Sequence, residues 1–403
     1  MTLAEAVPGR LEDHAAGCCY VADVRRAAAD EHAGEVLGEA QAVRRSDVDA
    51  LAGDGPGAEF DLGRAAYLDT ETTGLAGGTG TYAFLIGAGR FVGDSFVVRQ
   101  FFMRDPADEA GQLEAVAAWL EGSSGLVTFN GRAFDVPLLT MRFGLHLRPM
   151  SLDEMPHLDL LPVARRLWRR RLVGCGLANL EREVLGLERV EDVPGWLVPE
   201  RYFRFQQNGD ARPLVGVFEH NAIDVLSMVS LAIRMARSVQ TPEAQVEHPL
   251  DWMSLARIYQ SRGWLERSMA AWEEALVRPA TPQLAQEARW ALSMTAKRLG
   301  LWDRAVAVWK AMMAPGVPHR LGPHVEMAKY LEHRCGDFAA ALEYAAAARV
   351  LVADGVLERH RRRIALDELD HRIRRLERRR SRQAAAQGAT KRPRRRSRRG
   401  QIE

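Results

Sequence analysis

A short acidic motif follows an apolar stretch in the segment YLDTETTG, residues 67–74. Asp69 and Glu71 stand two positions apart, and because side chains alternate along a strand, both carboxylates project to the same side. Two carboxylates at this spacing repel each other unless a cation lies between them, and Mg²⁺ or Mn²⁺ prefers such hard oxygen ligands. The motif is short enough to occur by chance, so a polar strand end is the alternative interpretation.

Two further acidic residues stand in patterns that suit the same chemistry. In LVTFNGRAFDVPLL an apolar strand runs into Asn130 and then Asp135, which opens a predicted helix over residues 136–143. An aspartate at a helix start is also commonly only a cap. In EHNAIDVLSM, His220 and Asp224 are four positions apart and therefore share one face of a predicted helix. The sequence thus offers four carboxylates and one imidazole as candidate site residues.

The elements around these residues predict a mixed α/β domain over residues 65–238. A strand that ends in the acidic motif, a glycine-rich turn and two antiparallel strands, in TYAFLIGAGRF and DSFVVRQFFM, precede interleaved helices. The segment LAGGTGTYAF lacks the lysine of a phosphate-binding loop, so we interpret it as a hairpin turn. In PHLDLL, His157 and Asp159 are interpreted as a structural strand-to-helix junction. Residues 1–64 show weak periodicity and predict an N-terminal extension that packs on this domain.

From residue 249 to residue 380 the strand signal disappears and helix pairs take over. Gly263, Gly300 and Gly336 punctuate them at intervals of 37 and 36 residues, close to the ~34-residue period of tetratricopeptide repeats. The segment LARIYQSRGWLERSMAAWEEAL resembles that family in the placing of its small and aromatic residues. The resemblance implies an all-α helical repeat domain that binds a protein partner. A generic helical bundle without a partner-binding face is the alternative.

Length and composition narrow the class of protein. The 403 residues suffice for two or three domains, and 47% apolar with 27% charged residues is typical of a globular chain with no membrane partner. The four cysteines contain no CxxC pair, which argues against a disulfide framework or a zinc site. They are Cys18, Cys19, Cys175 and Cys335. The start of the chain has no export pattern, so the sequence predicts a cytoplasmic protein.

Charge is distributed unevenly, although the net charge is only +2. Residues 359–403 hold 18 Lys and Arg against 5 Asp and Glu, so residues 1–358 carry a net charge of −11. An acidic body with a basic end indicates a polyanion partner, and we expect nucleic acid, DNA or RNA, bound through counterion release. Residues 381–403, with KRPRRRSRRG, have too few apolar residues for a core and predict a disordered arginine-rich tail. A solubilising role for the tail is the alternative.

Taken in order, the motifs resemble the DEDD exonuclease superfamily of the ribonuclease H-like fold. The segments LDTETTGL, GTGTYAFLIGAGRF, FNGRAFDVPLL, HLDLLPVARRLW, DVPG and HNAIDVLSM are similar to the YprB-type ribonuclease H-like domain over residues 8–238. The resemblance implies an α/β fold, a mixed sheet flanked by helices, with a two-metal Mg²⁺ or Mn²⁺ site. Its carboxylate ligands are Asp69, Glu71, Asp135 and Asp224. The expected substrate contacts are Thr70, Thr72, Asn130, Arg165 and Arg166.

His220 departs from the pattern of that superfamily. Active relatives with a catalytic histidine place it five positions before the last aspartate, whereas His220 has the four-residue spacing of those that use tyrosine. One position is a rotation of about 100° around a helix, enough to move a side chain off the site. A general base that activates water and a histidine that only packs both stay open.

These observations predict a metal-dependent nuclease, a 3′–5′ exonuclease that hydrolyses phosphodiester bonds at nucleic acid ends. The alternative is a catalytically weak or inactive nucleic-acid-binding adaptor that recruits a protein partner through its helical repeats. A nucleotide hydrolase or transferase is disfavoured by the missing phosphate loop.

Overall fold

The computed structural model describes residues 1–52, 60–74, 80–147, 150–190, 193–278, 280–314, 321–354 and 359–390. These residues divide into two compact units, Met1–Arg262 and Gly263–Glu403. Most of the predicted glycine-rich turn, and KRPRRRSRRG, lie outside the described residues.

In the described part of the first unit, seven strands form one mixed sheet in the order β1-β2-β7-β6-β5-β8-β9, and β3 pairs with β4. The strands are β1 Arg10–His14, β2 Gly17–Ala27, β3 Glu31–His32, β4 Glu35–Val36, β5 Ala66–Thr72, β6 Ala83–Val92, β7 Ser95–Phe102, β8 Leu126–Thr128 and β9 His157–Asp159. Strands β1, β2, β7, β6 and β5 are antiparallel neighbours, whereas β5, β8 and β9 run parallel. The predicted mixed sheet with flanking helices is confirmed.

Helices surround this sheet. Those of the first unit are α1 Leu3–Ala6, α2 Arg45–Ala52, α3 Glu109–Leu120, α4 Asp135–Leu145, α5 Leu160–Trp168, α6 Leu177–Leu180, α7 Val198–Asn208, α8 Val215–Gln240, α9 Pro242–Gln245 and α10 Pro249–Ser261. One buried cluster joins the sheet to α3 and α4, through side chains such as Leu113 and Leu139. A second cluster joins it to α7 and the start of α8, through Tyr202 and Phe218. The sheet therefore packs against α3 and α4 in one cluster and against α7 and α8 in the other.

The first residues of the chain belong to this sheet and are not an extension packed on it. β2 pairs with β7 along eight residue pairs, from Tyr20 opposite Phe102 to Ala27 opposite Ser95. Cys19, Tyr20, Val21 and Ala22 are buried, because β2 lies inside the sheet between β1 and β7. The boundary predicted between residues 64 and 65 therefore lies within a single compact unit.

Two glycines of β6 let α8 approach the sheet closely. A Cβ on Gly87 would lie 2.2 Å from Asn221 Oδ1, and one on Gly89 would lie 2.6 Å from Val225 Cγ1. Both distances are far below a normal contact, so any larger residue would push α8 away. This close packing places the start of α8 directly over β5 and β6.

The helical span Arg212–Gln240, which contains α8, is the one helix among the described residues that is long and apolar enough to cross a membrane. Its most apolar window is 67% buried inside the protein. The buried face includes Asn221, Ser227 and Ser230. The core helix of a globular domain is equally long and apolar, and it is buried in the same way.

Helix α10 also belongs to the first unit, although the sequence predicts the helical repeats from residue 249. Tyr259 Oη donates a hydrogen bond to the carbonyl of Val239 at 3.2 Å, and Arg171 Nε lies 2.8 Å from Asp251 Oδ2. These contacts tie α10 to α8 and to the residues after α5. The division between the units thus falls at Arg262 and Gly263 instead of between residues 238 and 249.

The second unit is all-helical in its described residues. Its helices are α11 Leu265–Val277, α12 Pro282–Arg298, α13 Trp302–Met312, α14 Leu321–Tyr330, a π-helical turn Leu331–Cys335, α15 Phe338–Ala353 and α16 Arg359–Thr390. Gly300 and Gly336 have φ values of 75° and 66° where one helix gives way to the next, a left-handed conformation that explains why glycine stands at these positions. The core is built from small and aromatic side chains such as Ala296 and Trp309.

Residues 381–390 continue α16, so the prediction that the disordered tail starts at residue 381 is wrong for this stretch. The segment SRQAAAQ contains three alanines, and alanine has the highest helix propensity. Farther back, the buried carboxylate of Glu332 contacts Arg372 and Arg375, each at 2.7 Å. These ion pairs tie the helix to the π-helical turn.

Candidate active site

The acidic motif lies at the end of β5, between antiparallel β6 and parallel β8. Asp69 Oδ2 accepts a hydrogen bond from Asn221 Nδ2 at 2.8 Å, so this carboxylate faces α8. Thr70 donates from Oγ1 to Asp135 Oδ1 at 2.5 Å. Alternation along β5 therefore directs Asp69 and Glu71 towards one helix and Thr70 towards another.

Asp135 is the first residue of α4, and Phe134 occupies the N-cap position. The carboxylate is thus not the N-cap of the helix, which the sequence left as an alternative. Its position is set by the hydrogen bond from Thr70, so β5 and α4 are joined through two of the predicted site residues.

The loop before α4 is held by Asp159 at the end of β9. Asp159 accepts backbone hydrogen bonds from Asn130 at 2.8 Å and Arg132 at 3.2 Å, and from Leu161 at the start of α5. Asn130 has a φ of 68°, a left-handed conformation that asparagine tolerates better than most residues. His157 Nε2 lies 2.8 Å from Thr128 Oγ1. Asp159 is therefore a positioning group between two strand ends, as the strand-to-helix junction predicted.

On α8, His220 and Asp224 both face the end of β5. His220 Nε2 lies 3.6 Å from Asp224 Oδ2 and 4.0 Å from Glu71 Oε1. The four-residue spacing has not rotated the imidazole off the site, because α8 lies close enough to β5 for residues 220, 221 and 224 to share one face. The structure thus brings His220 and all four predicted carboxylates to one end of β5.

Arg189 and Glu181 complete the cluster, and neither was predicted from the sequence. The guanidinium of Arg189 contacts Asp224 and Glu181 and lies 3.1 Å from His220 Nδ1. The side chain of Arg189 is 8% exposed and that of Glu181 1%. Arg189 follows the turn after a π-helical segment, Glu181–Leu185, in a stretch with no periodicity. The signal that could have found them is the concentration of charged residues in EREVLGLER.

Asn221 was also missed, although it stands inside the predicted motif. It is fully buried, and besides its bond to Asp69 its Oδ1 accepts from Gln100 Nε2 at 3.0 Å. The close approach over Gly87 makes room for this amide. The signal that could have found it is the pair of glycines inside the IGAGRF strand, which marks a close backbone contact.

Burial and mutual repulsion raise the pKa values of the carboxylates. Burial is the largest cause for each, and for Asp69 the charges of Asp224, Glu71 and Asp135 follow in that order. The pKa of Glu71 rises to about 7, with His220 opposing the rise, and the pKa of Asp135 rises to about 6, with the bond from Thr70 opposing it. Burial also raises the pKa of Asp224, with His220 and Arg189 opposing the rise. Burial thus disfavours the charged form of all four carboxylates, and at Asp69 the neighbouring carboxylates add to that effect.

A cavity of about 520 Å³ opens beside the cluster. Polar side chains on its wall include Asp69, Asp135 and three predicted substrate contacts, Thr70, Thr72 and Asn130. Its apolar wall includes Phe129 and Phe134, and Phe134 is 58% exposed. The other two predicted contacts, Arg165 and Arg166, lie elsewhere, in a groove between α5 and α10.

The residues at the end of β5 fit a divalent cation by donor type and by charge, since they are carboxylate oxygens whose repulsion such a cation relieves. As the side chains stand, however, no three His, Cys, Asp or Glu residues in the described part of the chain are spaced to hold a metal ion. The reason is visible at Asp224 and Asp69, which are turned towards Arg189 and Asn221.

The part of the chain that contains this cluster matches a known superfamily. A family model of the RNase H superfamily matches residues 66–236, which run from β5 to α8 and include every predicted carboxylate. The chain belongs to this superfamily. A relative is the uncharacterized protein YprB of Bacillus subtilis (strain 168), which is 34% identical over 281 residues, 69% of this chain and 67% of YprB.

Proposed function

We propose that this protein is a metal-dependent nuclease that removes nucleotides from the 3′ end of single-stranded nucleic acid. The observation that carries the proposal is the gathering of four carboxylates at the end of β5, where neighbouring carboxylates add to burial in raising the pKa of Asp69. A buried surplus of negative charge is costly in an unliganded protein, and it is expected where cations bind. Membership of the RNase H superfamily supports the same class of reaction.

Asp69, Glu71, Asp135 and Asp224 would hold Mg²⁺ or Mn²⁺. When bound, such ions activate water and stabilise the charge that develops on the leaving oxygen. The carboxylates reach the site from β5, α4 and α8, three elements that the sheet fixes relative to one another. Thr70 holds Asp135 in place by a hydrogen bond, whereas Asp69 and Asp224 would turn away from Asn221 and Arg189 to reach an ion.

His220 orients groups at the site and does not take the proton from water. The guanidinium of Arg189 is always a donor, so the hydrogen bond at Nδ1 requires that nitrogen to be the acceptor. The proton of the neutral imidazole is then on Nε2, the nitrogen that faces Glu71 and Asp224. A protonated Nε2 cannot act as a base.

The cavity beside the cluster suits the terminal nucleotide of a strand. Its volume of about 520 Å³ is within the usual range for a small-molecule site. Phe134, exposed on its wall, presents a face on which a base can stack. Asn130 and Thr72 stand on the same wall as polar contacts for sugar or phosphate.

The test is cleavage of 5′-labelled and 3′-labelled single-stranded DNA and RNA, and of duplexes, in EDTA, Mg²⁺ and Mn²⁺. We expect a ladder that shortens from the 3′ end only when a metal is present. In parallel, millimolar Mn²⁺ should raise the melting temperature, because an ion at about 100 times its Kd stabilises the fold by roughly 2.7 kcal/mol. The absence of both cleavage and a melting shift under all of these conditions would refute the proposal.

A second candidate function is favoured by the contact between Arg189 and Asp224. An arginine paired with a ligand carboxylate supplies part of the charge that a metal would bring. The protein would then be a nucleic-acid-binding adaptor with little turnover, and its helical second unit would recruit a protein partner. Binding of nucleic acid in EDTA, together with a melting temperature that Mn²⁺ does not move, would favour this adaptor.

A further inference from the structure

A groove of about 640 Å³ in the first unit is lined by arginines and lies away from the carboxylates. Its walls are the second half of α5, the residues that follow α5, and α10. The remaining lining residues are small or apolar, and among the described residues that line it none is an aspartate or glutamate. The arginines are Arg165, Arg166, Arg169, Arg170, Arg257 and Arg262.

The fold holds these arginines together. Arg166 Nη1 donates to the carbonyl of Leu51 at 2.7 Å, and Arg262 Nε donates to the carbonyl of Ala50 at 3.2 Å. Both arginine side chains are therefore anchored on α2. Arg165 and Arg169 are exposed and four positions apart on one stripe of α5 and its first following turn. Like charges at that spacing destabilise a helix, and a bound anion removes this repulsion.

Helix ends alone do not account for so much positive charge. Arginines near the C-terminus of a helix are stabilised by its dipole, and the ends of α5 and α10 both lie here. Each end contributes roughly half a negative charge, so two ends offset about one of the six arginines. The dipoles of these two helices thus favour arginine at one or two positions here, and not at six.

The groove is connected to the carboxylate cluster through a single helix. Asp159, which holds the Asn130 loop at the active site, is also the N-cap of α5. Arg169 follows Leu160, the first residue of α5, by nine residues, which is about 14 Å at 1.5 Å per residue. A strand a few nucleotides long spans such a distance.

We propose that this arginine groove binds the phosphodiester backbone of a single-stranded nucleic acid, several nucleotides from the phosphate at the carboxylate cluster. The proposal rests on the proposed function for the identity of the polyanion, but binding in the groove needs no turnover. Arginines from α5, from the residues after it and from α10 line one continuous groove, an arrangement that suits a chain of phosphates better than a single phosphate.

The experiment measures the affinity of the full chain for a labelled oligonucleotide of about 16 nucleotides at several salt concentrations in EDTA, where no metal-dependent cleavage occurs. The test variant is Arg165→Gln/Arg169→Gln. The matched control is Arg204→Gln/Arg212→Gln, which removes the same charge from exposed arginines that pair with Glu200 and Asp210. The basic C-terminal segment is the same in all three proteins.

Each phosphate contact contributes about −0.7 to the slope of log affinity against log salt. We expect the test variant to flatten the slope by about 1.4 and to lose roughly tenfold or more in affinity at 0.1 M salt, with its melting temperature unchanged. The control should keep the wild-type slope. A test variant that behaves like the control would overturn the proposal.

Two further arms separate other outcomes. If the groove takes a small polyanion, the substitutions weaken the binding of inorganic triphosphate but not of the oligonucleotide, which also overturns the proposal. An altered slope without cleavage in Mg²⁺ or Mn²⁺ would leave the groove assigned and refute the nuclease. Metal-dependent cleavage with an unaltered slope would support the nuclease and overturn the assignment of the groove.

Discussion

Two buried clusters in the first unit combine carboxylates, an arginine and a histidine, yet they differ in charge balance. At the first, Glu109 of α3 is paired with Arg142 of α4, and His146 Nε2 lies 2.7 Å from the same carboxylate. The side chains of Glu109 and Arg142 are each 5% exposed, and the hydrogen bonds that Arg142 donates to Glu109 raise the pKa of Arg142. One acid meets one permanent cation, so this pair is complete in itself.

At the end of β5 the same residue types are out of balance. Four predicted ligands and Glu181 face one arginine and one histidine, and the pKa of Glu71 rises to about 7. The comparison teaches that a buried ion pair and a binding site are distinguished by their surplus of charge and not by their residue types. A balanced pair stabilises the fold only if left whole, whereas a surplus requires a ligand.

The largest expected effect falls on catalysis at the unbalanced cluster. Asp69→Asn keeps the shape of the side chain and its bond to Asn221 but removes the charge, so cleavage should fall by roughly 10³-fold or more. Circular dichroism should show an unchanged fold. Glu109→Gln, measured in the same assay under conditions where it is folded, should retain a rate within about threefold of wild type. Equal losses in the two variants would erase the distinction between the clusters.

The second effect is on stability at the balanced cluster. Glu109→Gln leaves Arg142 buried without its counter-ion, and breaking such a pair costs about 3–5 kcal/mol. At roughly 2–4 °C per kcal/mol, the melting temperature should fall by about 10 °C. Denaturant unfolding gives the free energy directly. A decrease in the free energy of unfolding of less than about 1 kcal/mol would mean that Arg142 does not depend on Glu109 as its counter-ion.

The third effect has the opposite sign and appears at the unbalanced cluster. The pKa of Glu71 is higher in the folded protein, about 7, than its ordinary value of 4.5, so the folded state binds more protons in between. The free energy of unfolding therefore falls as pH rises through that window, and the loss is complete above it. In EDTA, Glu71→Gln should be more stable than wild type at about pH 8 by at least 2 °C in melting temperature, and should lose this advantage near pH 5.

The matched control for this pH experiment is Glu200→Gln, an exposed glutamate of α7. It should follow the wild-type profile throughout. A Glu71→Gln protein that is less stable than wild type at both pH values would show that the carboxylate is compensated, and the surplus would then be absent.

The smallest expected effect is that of His220→Ala. With its Nδ1 bonded to Arg189, His220 orients groups and is not a base, so turnover should fall by about tenfold or less. The pH profile of kcat should keep its shape. A loss of roughly 10²–10⁴-fold together with the disappearance of the acidic limb would restore the histidine as general base.

Much of the sheet is predictable from sequence because its strands are encoded locally. The alternation in DSFVVRQFFM and the turn residues around it predict the hairpin of β6 and β7, which the structure confirms. The place of β2 was not predictable, because its partner β7 lies about 75 residues away and pairing at that distance leaves no local pattern. The glycines of the second unit were found, since a left-handed turn nearly requires glycine.

For the candidate site, the sequence identified the residues that stand in motifs and missed those that reach it from a connector. Asp69 and Glu71 were visible because a strand imposes their geometry, and His220 and Asp224 because a helix does. Arg189 was invisible, since only the tertiary fold returns its segment to α8. The direction of the His220 side chain stayed open for the same reason, because spacing along a helix takes no account of the sheet beneath α8.

The buried Glu35 of β4 contacts Arg234 and Arg237 of α8, the first of these across 199 residues of chain. During synthesis at roughly 5–20 residues per second, Glu35 waits about 10–40 s for its partners to be made. Strand β2 can pair with β7 earlier, but the N-terminal region cannot be fully buried until α8 has been synthesised. The N-terminal region therefore depends on late-made residues for its final burial, and a nascent chain that stalls before residue 234 leaves it exposed to chaperones and proteases.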